Sequence, residues 1–308
     1  MLSTIPFQVP AYLLDLVAGK PPVRMAVAGA DHVVALESAW QATEAGLIEP
    51  VLVGDTDEIG SLAHTLGWDI SGYDVVDAAG EDIAPTAAIA EIRAGNASAL
   101  MKGHVHTDAL MKAVIDKETG LRDGRRLSHV FHMTVPGSDR VLMITDGAVN
   151  VAPDEETLVH ITRNAIGLAH ALGNPEPRVA MLSGTESVIP SMPSSLTAAN
   201  IVARAKAGEI AGAHVEGPFA FDNALSPEAA AMKQIDNPVA GQADILVVPN
   251  IETGNGLFKM MVYFMSGLAA GIVLGAKAPI VLTSRADPPE ARLAATAIAA
   301  IMASEAGS

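Results

Sequence analysis

The stretch from Val281 to Asp287 places three chemically useful side chains at the end of an apolar strand. Ser284, Arg285 and Asp287 lie within four residues of one another. Arginine presents a planar fork matched to phosphate oxygens, serine can donate to a developing oxyanion, and aspartate can accept a proton. A simpler interpretation is a strand end at which Ser284 caps the next helix and the following prolines begin it. These residues are therefore the first candidates for catalysis, with helix capping as the alternative.

A glycine-bearing stretch follows the strand predicted at residues 245–249 and offers a way to hold an anion. Asn250, Gly254, Asn255 and Lys259 fall in or beside it. Glycines ahead of a helix let backbone amides approach an anion, and the helix N-terminus favours negative charge. We therefore predict a glycine-rich turn before a helix, with Lys259 adding a cation about one turn in. The spacing of a Walker loop is missing, and such a turn also occurs without any ligand.

The stretch that begins at Lys102 carries two histidines. His104 and His106 would share one face if they lay on a strand, which would suit a metal ion, but no third ligand of clear spacing accompanies them. The preferred interpretations are contacts to substrate from Lys102, His106, Thr107 and Lys112, or plain turn residues. No metal site is therefore predicted.

Other polar residues stand beside apolar runs. Ser128, Asp146 and Asp222 do so, and each is a candidate for contact with a ligand. In open α/β sheets, ligands bind beyond the carboxyl ends of the strands, which is where such turns fall. A helix cap is the alternative for Asp222. His129 and His132 are expected to be partly buried structural histidines.

Short apolar runs that alternate with Ala-rich helical stretches must position these residues. Strands are predicted at 23–28, 51–54, 73–76, 99–101, 141–145, 178–183, 213–216, 245–249 and 279–283. Alternation with helical segments of this length is typical of βαβ units in a mainly parallel sheet. The predicted fold class is therefore α/β.

The composition limits the classes of function. The chain of 308 residues carries a formal net charge of −16 and no cysteine. Such acidity repels nucleic acid and anionic membrane surfaces, so neither is expected as a partner. The lack of cysteine excludes disulfides, thiolate metal sites and cysteine nucleophiles, and it fits the cytoplasm. No signal peptide is expected at the N-terminus, and the longest uncharged run, Met260–Ala276, is too short to span a membrane.

Taken together, these stretches resemble the phosphate acetyltransferase and phosphate butyryltransferase family. The resemblance runs from about Val27 to Ala303 and is densest from Lys102 to Arg285. The matching sequences are KGHVHTDALMKAV, LSHVFHM, TDGAVNVAPD, AHALGNPEPRVAMLSG, EGPFAFDNALS, PVAGQADILVVPNIETGNGLFK and GIVLGAKAPIVLTSRAD. Several ordered motifs at family-like spacing indicate more than chance similarity.

The resemblance implies a two-lobed, three-layer α/β/α fold of the isopropylmalate-dehydrogenase-like type, with mostly parallel sheets and an active-site cleft between the lobes. Residues 1–126 with 274–308 would form the first lobe, and residues 127–273 the second. It implies transfer of an acyl group, acetyl first and butyryl second, between coenzyme A and inorganic phosphate. Coenzyme A and acyl phosphate would be substrates, with no cofactor bound permanently. It also implies a homodimer or a larger homo-oligomer.

The resemblance further assigns roles to single residues. Ser284 and Arg285 match the family's catalytic serine–arginine pair, and Lys112 falls where many members carry an arginine that binds the substrate anion. Cleft positions of the family are also matched at Asp222, Gly254, Asn255 and Lys259, and Asn250 stands where aspartate is common.

One departure from the family leaves alternatives open. Many members carry a catalytic aspartate seven residues after the serine, but that position is Ala291 here. Asp287 is the nearest substitute as general base, and Glu290 is another. Loss of the aspartate would also fit a non-catalytic sensor of acyl-CoA or acyl phosphate. A metal- and nicotinamide-dependent dehydrogenase of similar architecture is the second alternative, although no GxGxxG fingerprint follows the first strand.

Overall fold

The chain folds into two compact units. The computed structural model describes residues 3–283 and 287–306. The N-terminal unit comprises Gln8–Arg125 and the described residues from Ala270 onward. The central unit comprises Arg126–Ala269 together with the described residues up to Phe7.

The N-terminal residues up to Phe7 belong with the central unit, where the hydroxyls of Ser3 and Ser266 form a hydrogen bond of 2.6 Å. The boundaries derived from the sequence assign these residues to the first lobe. The lobe boundaries given from the sequence, 1–126 with 274–308 and 127–273, stay a prediction.

The N-terminal unit is built from a sheet with the strand order β3–β2–β1–β4–β11–β10. Neighbouring strands are parallel except β10 and β11, which are antiparallel. The strands are β1 (Val23–Ala28), β2 (Ile48–Gly54), β3 (Asp74–Asp77), β4 (Ala99–Lys102), β10 (Leu268–Leu274, which belongs to this unit from Ala270 onward) and β11 (Ile280–Val281). The helices are α1 (Ala11–Val17), α2 (Val33–Glu44), α3 (Thr56–Leu66), α4 (Ile83–Arg93), α5 (Thr107–Val114) and α11 (Pro289–Ala306).

The central unit has the strand order β5–β6–β9–β7–β8, with only the β5–β6 pair antiparallel among these strands. Its strands are β5 (Ser128–Thr134), β6 (Leu142–Thr145), β7 (Arg178–Leu182), β8 (His214–Phe219) and β9 (Ile245–Val247). Its helices are α6 (Glu155–Ala171), α7 (Pro193–Lys206), α8 (Phe221–Leu225), α9 (Pro227–Met232) and α10 (Ile251–Met265).

Small aliphatic side chains build the core of both units. In the N-terminal unit, α11 packs on β4 and β11, and the buried residues of this helix include Ala294, Ile298 and Ile301. In the central unit, Ile144 and Leu246 lie in the core with Phe219, which is only 1% exposed. Strands buried on both faces favour such residues over an alternating pattern. The predicted α/β class with mostly parallel strands is confirmed.

No helix within the described residues combines the length and the hydropathy needed to cross a bilayer.

Candidate functional site

The carboxyl ends of β4 and β11 meet at one edge of the sheet in the N-terminal unit. The two strands are parallel neighbours, with Met101 opposite Val281. Lys102 therefore leaves β4 beside Thr283, whose carbonyl oxygen lies 3.5 Å from the Lys102 ammonium nitrogen. The stretch that begins at Lys102 and the stretch that leads to the predicted catalytic serine thus emerge at the same edge.

The predicted catalytic residues follow directly in the chain. Ser284 and Arg285 lie outside the described residues, so their roles rest on the sequence. Asp287 is half-buried, and its backbone carbonyl accepts a hydrogen bond of 2.5 Å from Arg292 Nη1 on α11. Ala291, at the position where the resemblance implies a catalytic aspartate, is only 2% exposed. Helix α11 therefore holds the Asp287 end of the segment through its own arginine.

A cavity of about 120 Å³ lies beside Lys102 in the N-terminal unit. Lys102 is 8% exposed, and Arg292 supplies a second cation to the lining. The stacked rings of His32 and His104, with centroids 3.8 Å apart, form part of the wall. None of the described residues that line the cavity is acidic. The sequence does not predict Arg292 as a site residue, because the spacing of residues along a helix does not distinguish an arginine in solvent from one that lines a cavity.

The two histidines of the predicted HxH pair make different contacts. Strand β4 ends before either residue, so His104 and His106 do not lie on a strand. His104 stacks on another ring, while His106 Nδ1 lies 2.9 Å from a Glu81 carboxylate oxygen. His106 precedes α5, on which Thr107 and Lys112 are exposed. Across the described residues, no three histidine or carboxylate side chains gather in a way that could hold a metal ion.

The carboxylate of Asp146 organises the turn that follows β6 in the central unit. The residue is 2% exposed, and Oδ1 accepts from the backbone amides of Ala148 and Val149, each at 2.9 Å. Oδ2 accepts from the His129 amide at 3.2 Å and from the Asn150 side-chain amide at 2.7 Å. Both oxygens thus face protein donors, so the carboxylate is committed to holding this turn.

Ser128, at the start of β5, is also enclosed by protein. It is 0% exposed, and its hydroxyl accepts a hydrogen bond of 2.8 Å from Asn164 on α6. The same amide group donates to the Arg126 carbonyl at 3.0 Å. Its burial favours a structural role over the ligand contact expected from the sequence.

The predicted glycine-rich turn is wrong, because α10 begins immediately after Asn250. The Asn250 side chain caps the helix by accepting from the Thr253 amide at 3.0 Å. Gly254 is buried inside the helix, and a Cβ there would meet the Asp146 carbonyl oxygen and Gly147 Cα at 2.8 Å. The glycine therefore lets α10 pack against the turn after β6. Asn255, also inside α10, donates to the Gly147 carbonyl at 3.3 Å.

Two further predicted residues are exposed. Lys259 lies eight residues after the first residue of α10, which is more than two turns in rather than one. Asp222 lies within α8, whose N-cap is Ala220, so it does not cap that helix.

A separate ion pair joins Lys233 to Glu186. Lys233 donates to the Glu186 carboxylate at 3.0 Å, and this hydrogen bond lowers the pKa of the Glu186 carboxyl.

The central unit contains a cavity of about 270 Å³ beside the carboxyl ends of β7 and β9. Its wall is mainly apolar and includes Met181, Leu182, Val247 and Val248. Asn250 and Ser194 add polar atoms to the lining. A cavity of this kind can hold an apolar group that is oriented by a few polar contacts.

Comparison with known proteins identifies relatives over most of the chain. Residues 81–300 match the family described as Phosphate acetyl/butaryl transferase. The chain is 48% identical over 268 residues to a phosphate acetyltransferase of Rhizobium meliloti, an alignment that covers 87% of this chain and 85% of the relative. It is 40% identical over 291 residues to a phosphate butyryltransferase of Clostridium beijerinckii, covering 94% and 96% of the two chains.

Solved structures agree with these relatives. A branched-chain phosphotransacylase from Enterococcus faecalis superposes with a TM-score of 0.78 at 30% identity. The superposition covers 91% of this chain and 99% of that chain. The range matched to the family includes β4, β11 and most of α11, which carry the edge described above.

Proposed function

The chain belongs to the phosphate acetyl/butaryl transferase family, and from this premise we propose that it transfers an acyl group reversibly between coenzyme A and inorganic phosphate. It is an acyltransferase, and relatives of both the acetyl and the butyryl kind are similar to it. Acetyl is the first choice of acyl group and butyryl the second. Coenzyme A enters as a substrate, with acyl phosphate and inorganic phosphate as the other reactants and no permanently bound cofactor.

The observation that carries this proposal is the parallel pairing of β4 with β11. The pairing brings Lys102 and Thr283 out at the carboxyl edge of one sheet. Open α/β sheets bind their ligands at such edges. Ser284 and Arg285 follow Thr283 directly in the chain, so the serine–arginine pair of the family belongs to the same segment.

The proposed reaction is direct transfer without an acyl-enzyme. The coenzyme A thiol loses its proton to a carboxylate, and the thiolate attacks the carbonyl carbon of the acyl phosphate. A carbon–sulfur bond forms as the bond from that carbon to the phosphate oxygen breaks. An ordinary thiol has a pKa of about 8.5, so a positioned base typically contributes roughly 10²–10⁴-fold at neutral pH.

Three side chains have roles in this scheme besides the base. Ser284 donates to the carbonyl oxygen as it becomes an oxyanion, an effect of about 3–4 kcal/mol in comparable sites. Arg285, with help from the exposed Lys112, offsets the charge on the leaving phosphate. Lysine lacks the planar fork of arginine, so Lys112 acts as a point charge at this position.

The base assigned here is Asp287. The buried methyl group of Ala291 cannot accept a proton, and Glu290 is the other carboxylate on this part of the chain. Support for Asp287 comes from its hydrogen bond to Arg292, since a carboxylate on a held backbone keeps a defined position. His106, Thr107, Asp222 and Lys259 are retained as exposed contacts to substrate.

A second group of residues is assigned to the framework. Asp146 and Ser128 are buried and already bonded to protein groups, while Asn250, Gly254 and Asn255 dock α10 on the turn after β6. Their proposed role is to fix the central unit's loops rather than to touch the reacting atoms. Assembly as a homodimer or larger homo-oligomer and a cytoplasmic location complete the proposal.

The test compares variants of the catalytic pair in an assay that follows thioester formed from coenzyme A and acyl phosphate. Ser284→Ala should lower kcat by roughly 10²–10³-fold with little change in KM, since serine acts on the transition state. Arg285→Ala should both lower kcat and raise KM. The matched control is Ser61→Ala, an exposed serine on α3, which should retain wild-type kinetics. A normal kcat in Ser284→Ala would remove the serine from the mechanism, and a burst of stable acyl-enzyme would contradict direct transfer.

A further inference from the structure

The cavity beside the carboxyl ends of β7 and β9 lies where the connections of the central unit's sheet change face. Strands β6, β9, β7 and β8 are neighbours in that order and run parallel. The connection from β7 to β8 runs across the sheet in one direction, and the connection from β8 back to β9 runs in the other. Because crossovers between parallel strands are right-handed, these two connections lie on opposite faces of the sheet.

The helices that follow β7 and β9 pack on these opposite faces. Helix α7 follows β7 and packs on β7 and β8 beside α6. Helix α10 follows β9, and its Leu257 and Phe258 pack on the core cluster that contains Ala224 of α8 and Ala230 of α9. The chain therefore leaves two neighbouring strands toward opposite faces, and a crevice forms between the departing segments. Open α/β sheets bind ligands at such a point.

The lining of this cavity suits an uncharged group. None of the described residues that line it carries an ionisable side chain. Apolar walls come from both strand ends, with Met181 and Leu182 on β7 and with Val247 and Val248 at the end of β9. A phosphate or carboxylate group in this cavity would lack a positive partner, which makes its burial costly.

Two polar side chains in the lining keep atoms for a ligand. The Asn250 side-chain oxygen already accepts from the amide and the hydroxyl of Thr253, at 3.0 and 2.7 Å, but its amide nitrogen donates to no group among the described residues. Thr197 on α7 is half-buried, and its hydroxyl also makes no hydrogen bond within the described part of the chain. The amide nitrogen is a donor, and the hydroxyl can donate or accept.

The size of the cavity distinguishes between the uncharged parts of the proposed substrates. It measures about 270 Å³. A protein cavity of about 150 Å³ holds one benzene molecule, so by the same ratio this one holds about ten or eleven non-hydrogen atoms. Adenine has about ten, with flat apolar faces and hydrogen-bonding groups at its edge, the features by which proteins bind a base between apolar side chains. Acetyl and butyryl groups are much smaller and have no such edge.

We propose that this cavity binds the adenine base of coenzyme A. The proposal rests on the proposed function for the identity of coenzyme A. The ring lies between the apolar residues of the two strand ends, the Thr197 hydroxyl accepts from the exocyclic amino group, and the Asn250 amide donates to a ring nitrogen. The phosphates of coenzyme A stay outside, because the described lining offers them no cation. Thr197 is thereby a substrate-binding residue in addition to those predicted from the sequence.

The first experiment measures the binding of adenosine 3′,5′-bisphosphate, which carries the base of coenzyme A without its thiol arm. A ligand of the folded state raises Tm with its concentration. The bisphosphate should raise the Tm of the wild type, and its guanosine counterpart should raise it less, because guanine has an oxygen in place of the amino group. Thr197→Phe, which fills the cavity, should lose most of the rise. Thr197→Val, which removes only the hydroxyl, should lose part of it.

The matched control is Leu196→Phe. Leu196 is the neighbouring residue on α7, is 40% exposed and does not belong to the described lining of the cavity. The nucleotide should therefore raise the Tm of this variant as much as that of the wild type. If Thr197→Phe does not fold, the comparison of Thr197→Val with Leu196→Phe gives the same test. A full wild-type rise in every Thr197 variant that folds would overturn the proposal.

The second experiment compares coenzyme A with 4′-phosphopantetheine, which keeps the thiol arm and lacks the adenine nucleotide. Thr197→Val should raise the KM for coenzyme A by roughly 3–10-fold, the effect of one lost neutral hydrogen bond, and leave the KM for acyl phosphate unchanged. The KM for 4′-phosphopantetheine should be the same in the variant and the wild type. An equal rise for both thiols would overturn the proposal, because the cavity would then hold the thiol arm. A rise confined to acyl phosphate would assign the cavity to the acyl group and overturn it as well.

A third measurement separates coenzyme A from a free adenine nucleotide as the source of the base. In the active enzyme, adenosine 3′,5′-bisphosphate should inhibit competitively with coenzyme A. Inhibition that coenzyme A does not relieve would assign the cavity to a free nucleotide and overturn the proposal.

The failure of this inference is distinguishable from the failure of the proposed function. A wild-type protein that forms no thioester would contradict the proposed function, whereas the nucleotide-dependent rise in Tm would still test the cavity. An active enzyme whose Thr197 variants keep the wild-type KM for coenzyme A would contradict the adenine site alone.

Discussion

Burial separates the framework residues from those that remain available to a substrate. Asp146 and Ser128 are enclosed and bonded to backbone or amide groups, whereas Lys112 and Lys259 are exposed. The sequence shows which residue types follow the strands, but it does not show which of their atoms are already paired. Arg292 illustrates the converse, since only the tertiary packing shows that this residue lines a cavity.

A buried histidine provides a prediction at the same scale. Burial lowers the pKa of His132 on β5 from its ordinary value of 6.5 to about 4. Between these values the unfolded chain binds a proton that the folded protein does not, so stability falls as the pH is lowered through this window. The loss attributable to this residue is about 3 kcal/mol when complete.

Urea unfolding at a series of pH values between 7 and 4 measures this effect. His132→Gln, which lacks the titrating ring, should lose less stability than the wild type over the window. His64→Gln replaces an exposed histidine on α3 and should follow the wild type. Equal losses for His132→Gln and the wild type would show that His132 does not contribute to the pH dependence.

Most of the strands could be predicted because their apolar runs are short and bounded by polar or glycine residues. β1 is predicted with its bounds, and the runs that become β7 and β9 are predicted to within two residues at either end. β5 is missed, since its two buried histidines (His129 and His132) interrupt the apolar pattern. The sequence of β5 carries no signal that both rings would be covered by the fold.

The start of α10 could not be predicted from propensity. Glycine costs up to about 1 kcal/mol relative to alanine inside a helix, so Gly254 and Gly256 favour a turn in isolation. The structure accommodates both in the helix, and Gly254 gains a close approach to the turn after β6. Tertiary packing thus overrides local preference at one glycine.

The two glycines give a matched pair of variants. Gly254→Ala should destabilise the protein by about 2 kcal/mol, because its Cβ would stand 2.8 Å from backbone atoms that cannot move freely. Gly256→Ala should be neutral or stabilising by up to about 1 kcal/mol, since nothing lies within 4 Å of the added atom. Chemical denaturation of both variants checks the difference. Equal stabilities would contradict the packing role of Gly254.

For the whole molecule, the balance of charge requires that an anionic substrate be held locally. The net charge of −16 opposes the approach of coenzyme A and phosphate at long range, so their affinity depends on cations placed locally in the site. At ordinary ionic strength, salt screens this repulsion at distances beyond roughly 8–10 Å.

The predicted α/β class and the predicted acyltransferase family are both confirmed, because each depends on many ordered features along the chain rather than on one position.

The proposed reaction can be tested by turnover of the purified wild-type protein with coenzyme A and either acetyl phosphate or butyryl phosphate, in EDTA, followed by thioester absorbance. Thioester should form with at least one of the two, and the ratio of the kcat/KM values identifies the preferred acyl group. Activity in EDTA would also argue against a metal-dependent dehydrogenase. Binding of coenzyme A without thioester formation from either substrate would contradict the proposed reaction and favour a sensor in which Ala291 has replaced the catalytic aspartate.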